Sequence, residues 1–261
     1  MEADEYERIA DAEDEHWWYR YHRSLVHDLL APAHTGTPSI LDVGCGPGGG
    51  TTSLAALGNV VGLDPSPDAL SLLRRRDPSV RATRGRVEQL PFADASFDVV
   101  TCVDVLYTVG PHTRAIEEMG RVLAPGGTLV VVEPAFELLR RAHDAQVHGR
   151  RRFRRRELSS LLERGGFDVD RCTYACSFLT APAAALALWE RMRPTPQRPR
   201  SDVDRRGLDP VLAPLAEGER RWLRDHDLPF GTSAIVTATR MGGRPGTGRR
   251  PIHGWGRLRR R

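Results

Sequence analysis

Ser39-Ile40-Leu41-Asp42-Val43-Gly44-Cys45-Gly46-Pro47-Gly48-Gly49 decides how this chain is read. The aliphatic run Ile40–Val43 has the composition of a buried strand, and it enters a loop in which Gly44, Gly46 and Gly48 alternate with other residues. Thr51 and Thr52 follow, suited to capping a short helix. A strand, a glycine loop and a helix in succession let a ligand lie against backbone that carries no Cβ. Beyond the loop, Val60-Val61-Gly62-Leu63 is a second apolar run that ends in Asp64. A carboxylate at the end of the next strand suits the two hydroxyls of a ribose. Together they imply a cofactor that contains adenosine.

Gly44, Gly46 and Gly49 also satisfy the dinucleotide pattern G-x-G-x-x-G, so the loop alone does not choose the cofactor. The sequence downstream does. Leu90-Pro91-Phe92, Ser96-Phe97-Asp98-Val99-Val100-Thr101-Cys102 and Arg121-Val122-Leu123-Ala124-Pro125-Gly126-Gly127-Thr128-Leu129 follow in order. With Leu41–Gly46 they closely resemble the class I S-adenosylmethionine-dependent methyltransferases over residues 16–174. Glu15-His16-Trp17-Trp18-Tyr19-Arg20 is similar to the front of a type 11-like bacterial small-molecule branch of that family. Leu228-Pro229-Phe230-Gly231-Thr232-Ser233 is similar to the entry to its last strand.

The resemblance implies an α/β fold: a Rossmann-like, seven-stranded, mostly parallel sheet with helices on both faces and an antiparallel last strand. An N-terminal helix and a helical insertion before the last strand are added to it. It also implies S-adenosyl-L-methionine as cofactor. Gly44, Gly46 and Gly48 would line it, Asp42 would face its amino group, and Asp64 would take its ribose. Relatives carry an Asp four residues before the Leu of Leu-Pro-Phe, where it accepts from adenine; here Arg86 stands there and cannot accept. The Val87 amide and the Glu88 carboxylate are the substitutes. Val103 falls on the segment that meets the methionine moiety. Arg23 is placed on the cofactor carboxylate through its planar fork, with Arg20 as its competitor.

No catalytic residue is assigned. Methyl transfer needs alignment and exclusion of water, and a general base only when the acceptor must lose a proton. His16, Tyr19, Tyr107, His112, Glu133 and His148 are the candidates. Where relatives read Leu-Glu-His-Val after the fourth strand, this chain has Leu106-Tyr107-Thr108-Val109.

Of the 261 residues, 38 are basic and every one of these is arginine. The net charge of +4 belongs to the tail: Arg240 to Arg261 holds eight arginines and no acid, and the rest has 30 basic against 34 acidic residues. A mildly acidic body counts against nucleic acid as a partner. The expected partner is a small-molecule substrate, with secondary metabolism as a setting, and the oligomeric state is not set by the sequence. Cys45, Cys102, Cys172 and Cys176 form no CxxC pair, so no metal is expected and reduced thiols fit a cytoplasmic protein. No apolar run is long enough to span a bilayer.

Along the chain, residues 4–31 read as one helix stopped by Pro32. Strands are expected at 39–44, 59–63, 80–84, 97–102, 128–133 and 167–174, and helices at 51–57, 67–76, 112–123 and 155–164. Residues 1–38 form a helical cap, 39–174 the cofactor-binding core, 175–232 a helical insertion read as a candidate substrate lid, and 233–240 the last strand. Residues 241–261, rich in Gly, Pro and Arg, read as a disordered basic tail. The run Arg150–Arg156 reads as a solvated helix start or as a gate for an anionic substrate. An RNA methyltransferase using the arginine clusters, a nicotinamide-dependent oxidoreductase and a non-catalytic cofactor-binding regulator are the alternatives.

Overall fold

A computed structural model describes residues 3–30, 36–192 and 208–242. The readings of Pro32 and of the tail from 243 lie outside the described residues, as does the part of the insertion at 193–207. Seven strands form one sheet: β1 (Ser39–Val43), β2 (Asn59–Asp64), β3 (Arg81–Arg84), β4 (Phe97–Val103), β5 (Leu123–Pro134), β6 (Phe167–Ala175) and β7 (Ser233–Arg240). Their order is β3-β2-β1-β4-β5-β7-β6. The first five run parallel, and β7 enters between β5 and β6 antiparallel to both.

The strands are apolar on both faces because both faces are covered. In β5, Leu129 and Val131 pack into one layer, against Ile116 and Met119 of α5 (His112–Val122) and Leu158 and Leu162 of α7 (Arg155–Arg164). Val130 and Val132 point the other way, joining Trp17, Tyr21 and Leu25 of α2 (Trp17–Leu30) and Ala216 of α9 (Asp209–Trp222). Alternation by two along one strand thus feeds two separate cores.

Local signals place most helices. In α4 (Pro67–Arg76) the Ser66 hydroxyl accepts from the Ala69 amide and Pro67 occupies the first turn. After α7, Gly166 takes a φ of 86° to turn the chain into β6.

The sequence expectation fails in three places. The helix read over 4–31 is two, α1 (Ala3–Ala12) and α2, because the His16 ring accepts the Trp18 amide and starts a second helix. Next, α3 (Gly49–Leu54) begins ahead of Thr51, whose hydroxyl goes to Asp42 at 2.7 Å instead of capping. Between β5 and β6, a short α6 (Ala142–Gln146) has no periodic signal in the sequence.

Within the insertion, α8 (Thr180–Arg191) and α9 are described. Glu219 of α9 ties this unit down. Its carboxylate accepts the Tyr21 hydroxyl at 2.6 Å, the Cys176 amide at 2.6 Å and the Ser177 amide at 2.7 Å, as well as the Ser177 hydroxyl. Arg220 reaches Asp28 of α2 at 2.6 Å.

Candidate active site and cofactor pocket

The parallel strands end at a cavity of about 880 Å³, where a doubly wound sheet concentrates its ligand contacts. Asp42, Gly44, Asp64, Val103 and Asp104 line it from the strand ends and loops. Tyr6 and Ile9 of α1, Arg23 and His22 of α2, and Pro182, Ala183, Leu186 and Leu212 of the insertion line it from the other side.

The glycine loop is pinned by its neighbour strand. The Gly44 and Cys45 amides donate to the Leu63 carbonyl at 2.7 and 3.0 Å. Gly44 has φ of 72°, and a Cβ there would lie 2.2 Å from Val105 Cγ2, so only glycine fits. Gly46 and Gly48 do not line the cavity. The Gly46 amide donates to Asp64 Oδ2 at 3.1 Å, and Gly48 backs onto Leu73. Both shape the loop from behind.

Asp64 is only 4% exposed. Its Oδ1 accepts the Ser66 amide at 2.9 Å and the Tyr6 hydroxyl at 3.4 Å. Burial pushes this carboxyl up, while those bonds and the Gly46 amide pull it down. Asp42 is also buried, and it accepts the Thr51 and Thr101 hydroxyls at 2.7 Å each. Burial raises it, and the two hydroxyls offset part of that. Asp42 therefore braces the loop as well as lining the cavity.

Val87, Glu88 and Val103 line the cavity as well. Glu88 carries Arg86 at 3.2 Å, so the arginine standing where relatives have an acid neutralises the nearest substitute acceptor. Arg23 lines the cavity; its competitor Arg20 is exposed and does not. Arg23 Nη1 is buried with no hydrogen-bond partner, and its nearest carboxylate oxygen, on Asp14, is 3.8 Å away.

The base candidates separate. His16, Tyr19, Tyr107 and His148 line the cavity, whereas Glu133 and His112 do not. Glu133 is fully buried and accepts the amides of Val105, Leu106 and Tyr107 at 3.2, 2.7 and 3.0 Å. It holds the loop after β4. His112 Nε2 meets the Leu106 carbonyl at 3.1 Å, outside the cavity.

Three lining residues carry no signal in the sequence: Glu13, His22 and Asp104. Asp104 sits at the end of β4 with φ of 54°, and burial pushes its carboxyl up to about 7 against the pull of Arg152. His22 is buried against the Trp18 carbonyl and Ser233, and burial pushes it down to about 4. Each faces the cavity only because separate elements converge there.

The arginine run is largely engaged within the fold. Arg152 pairs with Asp144 at 2.8 Å, Arg151 lies over Phe153, and Arg155 covers Tyr174 and donates to the Leu228 carbonyl. Arg150 and Arg152 alone of the run line the cavity. Among the described residues no group of His, Cys, Asp and Glu could hold a metal ion, and no helix is long and apolar enough to cross a membrane. All four cysteines are free, and burial pushes their thiols up, away from the reactive thiolate.

Comparison with known proteins agrees with this geometry. The methyltransferase domain family matches residues 41–131. A probable S-adenosylmethionine-dependent methyltransferase of Mycolicibacterium smegmatis is 32% identical over 165 residues, covering 62% of this chain and 63% of the relative. The phthiotriol/phenolphthiotriol dimycocerosates methyltransferase 1 of Mycobacterium ulcerans is 33% identical over 56% of this chain and 54% of its own. The chain thus spans under two thirds of either relative's length. The structure of Haemonchus contortus phosphoethanolamine N-methyltransferase 2 with S-adenosyl-L-methionine superposes with a TM-score of 0.55 over 84% of this chain and 52% of that one. At 17% identity, that likeness is one of fold. Loop, sheet order and matched relatives converge: residues 41–131 match the methyltransferase domain family, and over its core this chain is similar to S-adenosylmethionine-dependent methyltransferases.

Proposed function

We propose that this protein transfers a methyl group from S-adenosyl-L-methionine to a small acceptor with an apolar body. The observation that carries the reading is that the glycine loop and Asp64 share one cavity with an apolar wall of Pro182, Ala183, Leu186 and Leu212. The buried Arg23 Nη1, without a hydrogen bond, fits the cofactor's carboxylate. In this reading Asp64 takes the ribose hydroxyls, Val87 and Glu88 border the adenine, and Gly44 and Val103 lie along the methionine chain. Asp42, Gly46 and Gly48 hold the loop that positions them.

When bound, the cofactor would supply an electrophilic methyl on a sulfonium. The chain's contribution is alignment in a cavity walled by α1, α2 and the insertion. Tyr19, Tyr107, His16 and Asp104 surround the acceptor side. The engagement of Arg151, Arg152 and Arg155 within the fold argues against RNA as the acceptor. The cytoplasm and secondary metabolism are the setting proposed for this activity.

Isothermal titration calorimetry tests the reading. S-adenosylhomocysteine is expected to bind at micromolar affinity, and NAD and NADP to give no saturable heat. NAD binding at comparable affinity would overturn it.

A further inference from the structure

Glu13 lies in the turn between α1 and α2, yet its carboxylate is buried in the cofactor cavity. One oxygen is committed: Oε2 accepts the Gly49 amide at 2.9 Å and faces Arg76 Nη2 at 3.3 Å. A Cβ on Gly49 would stand 2.6 Å from that oxygen, so the last glycine of the G-x-G-x-x-G pattern is what admits Glu13. No described residue donates to Oε1. Burial pushes the carboxyl up to about 7 even though Arg76, the Gly49 amide and Arg23 all pull it down. Its neighbours therefore leave its charge under-compensated.

Arg23 complements it. It lines the same cavity, and its buried Nη1 has no hydrogen-bond partner. The α1–α2 pair thus brings one acceptor and one donor, each incompletely matched, beside the glycine loop. A ligand that completes both carries an ammonium and a carboxylate on one carbon, the zwitterion of an α-amino acid.

We propose that Glu13 receives the α-ammonium of the cofactor while Arg23 receives its carboxylate, so that the N-terminal helices select for the amino-acid end. This rests on the cofactor reading above. Its competitor is a purely structural role, in which Glu13 only pins the α1–α2 turn to Gly49. Glu13→Gln distinguishes them, since the amide oxygen can still accept from Gly49 but no longer pairs with a cation.

The experiment is calorimetry on wild type, Glu13→Gln and Arg23→Met with three probes: S-adenosylhomocysteine, its decarboxylated analogue, and 5′-methylthioadenosine, which lacks the amino-acid end. Hydrogen bonds to charged groups are worth roughly 1.5–3 kcal/mol, so Glu13→Gln should weaken S-adenosylhomocysteine about tenfold or more. It should weaken the decarboxylated analogue similarly and leave 5′-methylthioadenosine within about twofold of wild type. Arg23→Met should weaken S-adenosylhomocysteine alone. Thermal melts confirm that the variants fold. Equal losses for all three probes, or no loss for any, would overturn the assignment while leaving the cofactor reading intact. Wild type binding none of the probes would overturn the cofactor reading itself.

Discussion

Glu219→Ala should lower the stability of the fold by about 3–5 kcal/mol, by the cost of leaving several buried donors without a partner. Glu219 is 9% exposed and takes bonds from Tyr21 of α2, from the Cys176 amide and from the amide and hydroxyl of Ser177. Each buried donor left unpaired costs about 1–3 kcal/mol, and water entering the space recovers part of it. In a chain of this size the melting temperature should fall by about 10 °C or more. Glu219→Gln keeps an acceptor and should lose distinctly less. Urea denaturation followed by tryptophan fluorescence measures both. A loss under about 1 kcal/mol for the alanine variant would mean that the insertion is not held through this residue.

The second large effect is on affinity. Asp64→Ala should weaken S-adenosylhomocysteine about ten- to hundredfold, since bonds from hydroxyls to a charged carboxylate are worth roughly 1.5–3 kcal/mol. The same change also frees the Gly46 and Ser66 amides and the Tyr6 hydroxyl. Loss of affinity could then reflect a loosened loop. Asp64→Asn is the milder comparison: its one carbonyl oxygen keeps either the Gly46 amide or the Ser66 amide as donor, but not both, while the charge is gone. Calorimetry on both variants, with circular dichroism to confirm folding, reads the result. Parent-like affinity in Asp64→Ala would remove Asp64 from the ribose site.

Helices with chemical punctuation were legible in advance. The Ser66-Pro67 start of α4 and the Gly165-Gly166 end of α7 use side chains and turns within a few residues of the helix they bound. Where a boundary depends on a partner far along the chain, sequence reading fails. Thr51 reads as a cap until Asp42 arrives to take its hydroxyl. Residues 4–31 read as one helix because the acidic stretch between Ala12 and His16 has no glycine or proline to break it. The break follows from the His16 ring on the Trp18 amide and from Glu13 turning to Gly49.

The same division holds at the site. The strand–glycine loop–strand pattern from Ser39 to Asp64 by itself pointed to a cofactor that contains adenosine, and the motifs from Leu90 to Leu129 chose among such cofactors and gave the fold class, because loop geometry and strand ends are properties of contiguous sequence. Which side chains share the cavity was decided only by tertiary packing. Arg20 and Arg23 are nearly equivalent in sequence, and the phase of α2 against the sheet turns one, half-buried, to the cavity and leaves the other exposed. Glu133, a candidate base on paper, is consumed by three loop amides, while Glu13 and Asp104 enter the cavity from elements far apart in the chain. A helix periodicity gives the direction of each side chain only after the helix is docked, and docking is a long-range event.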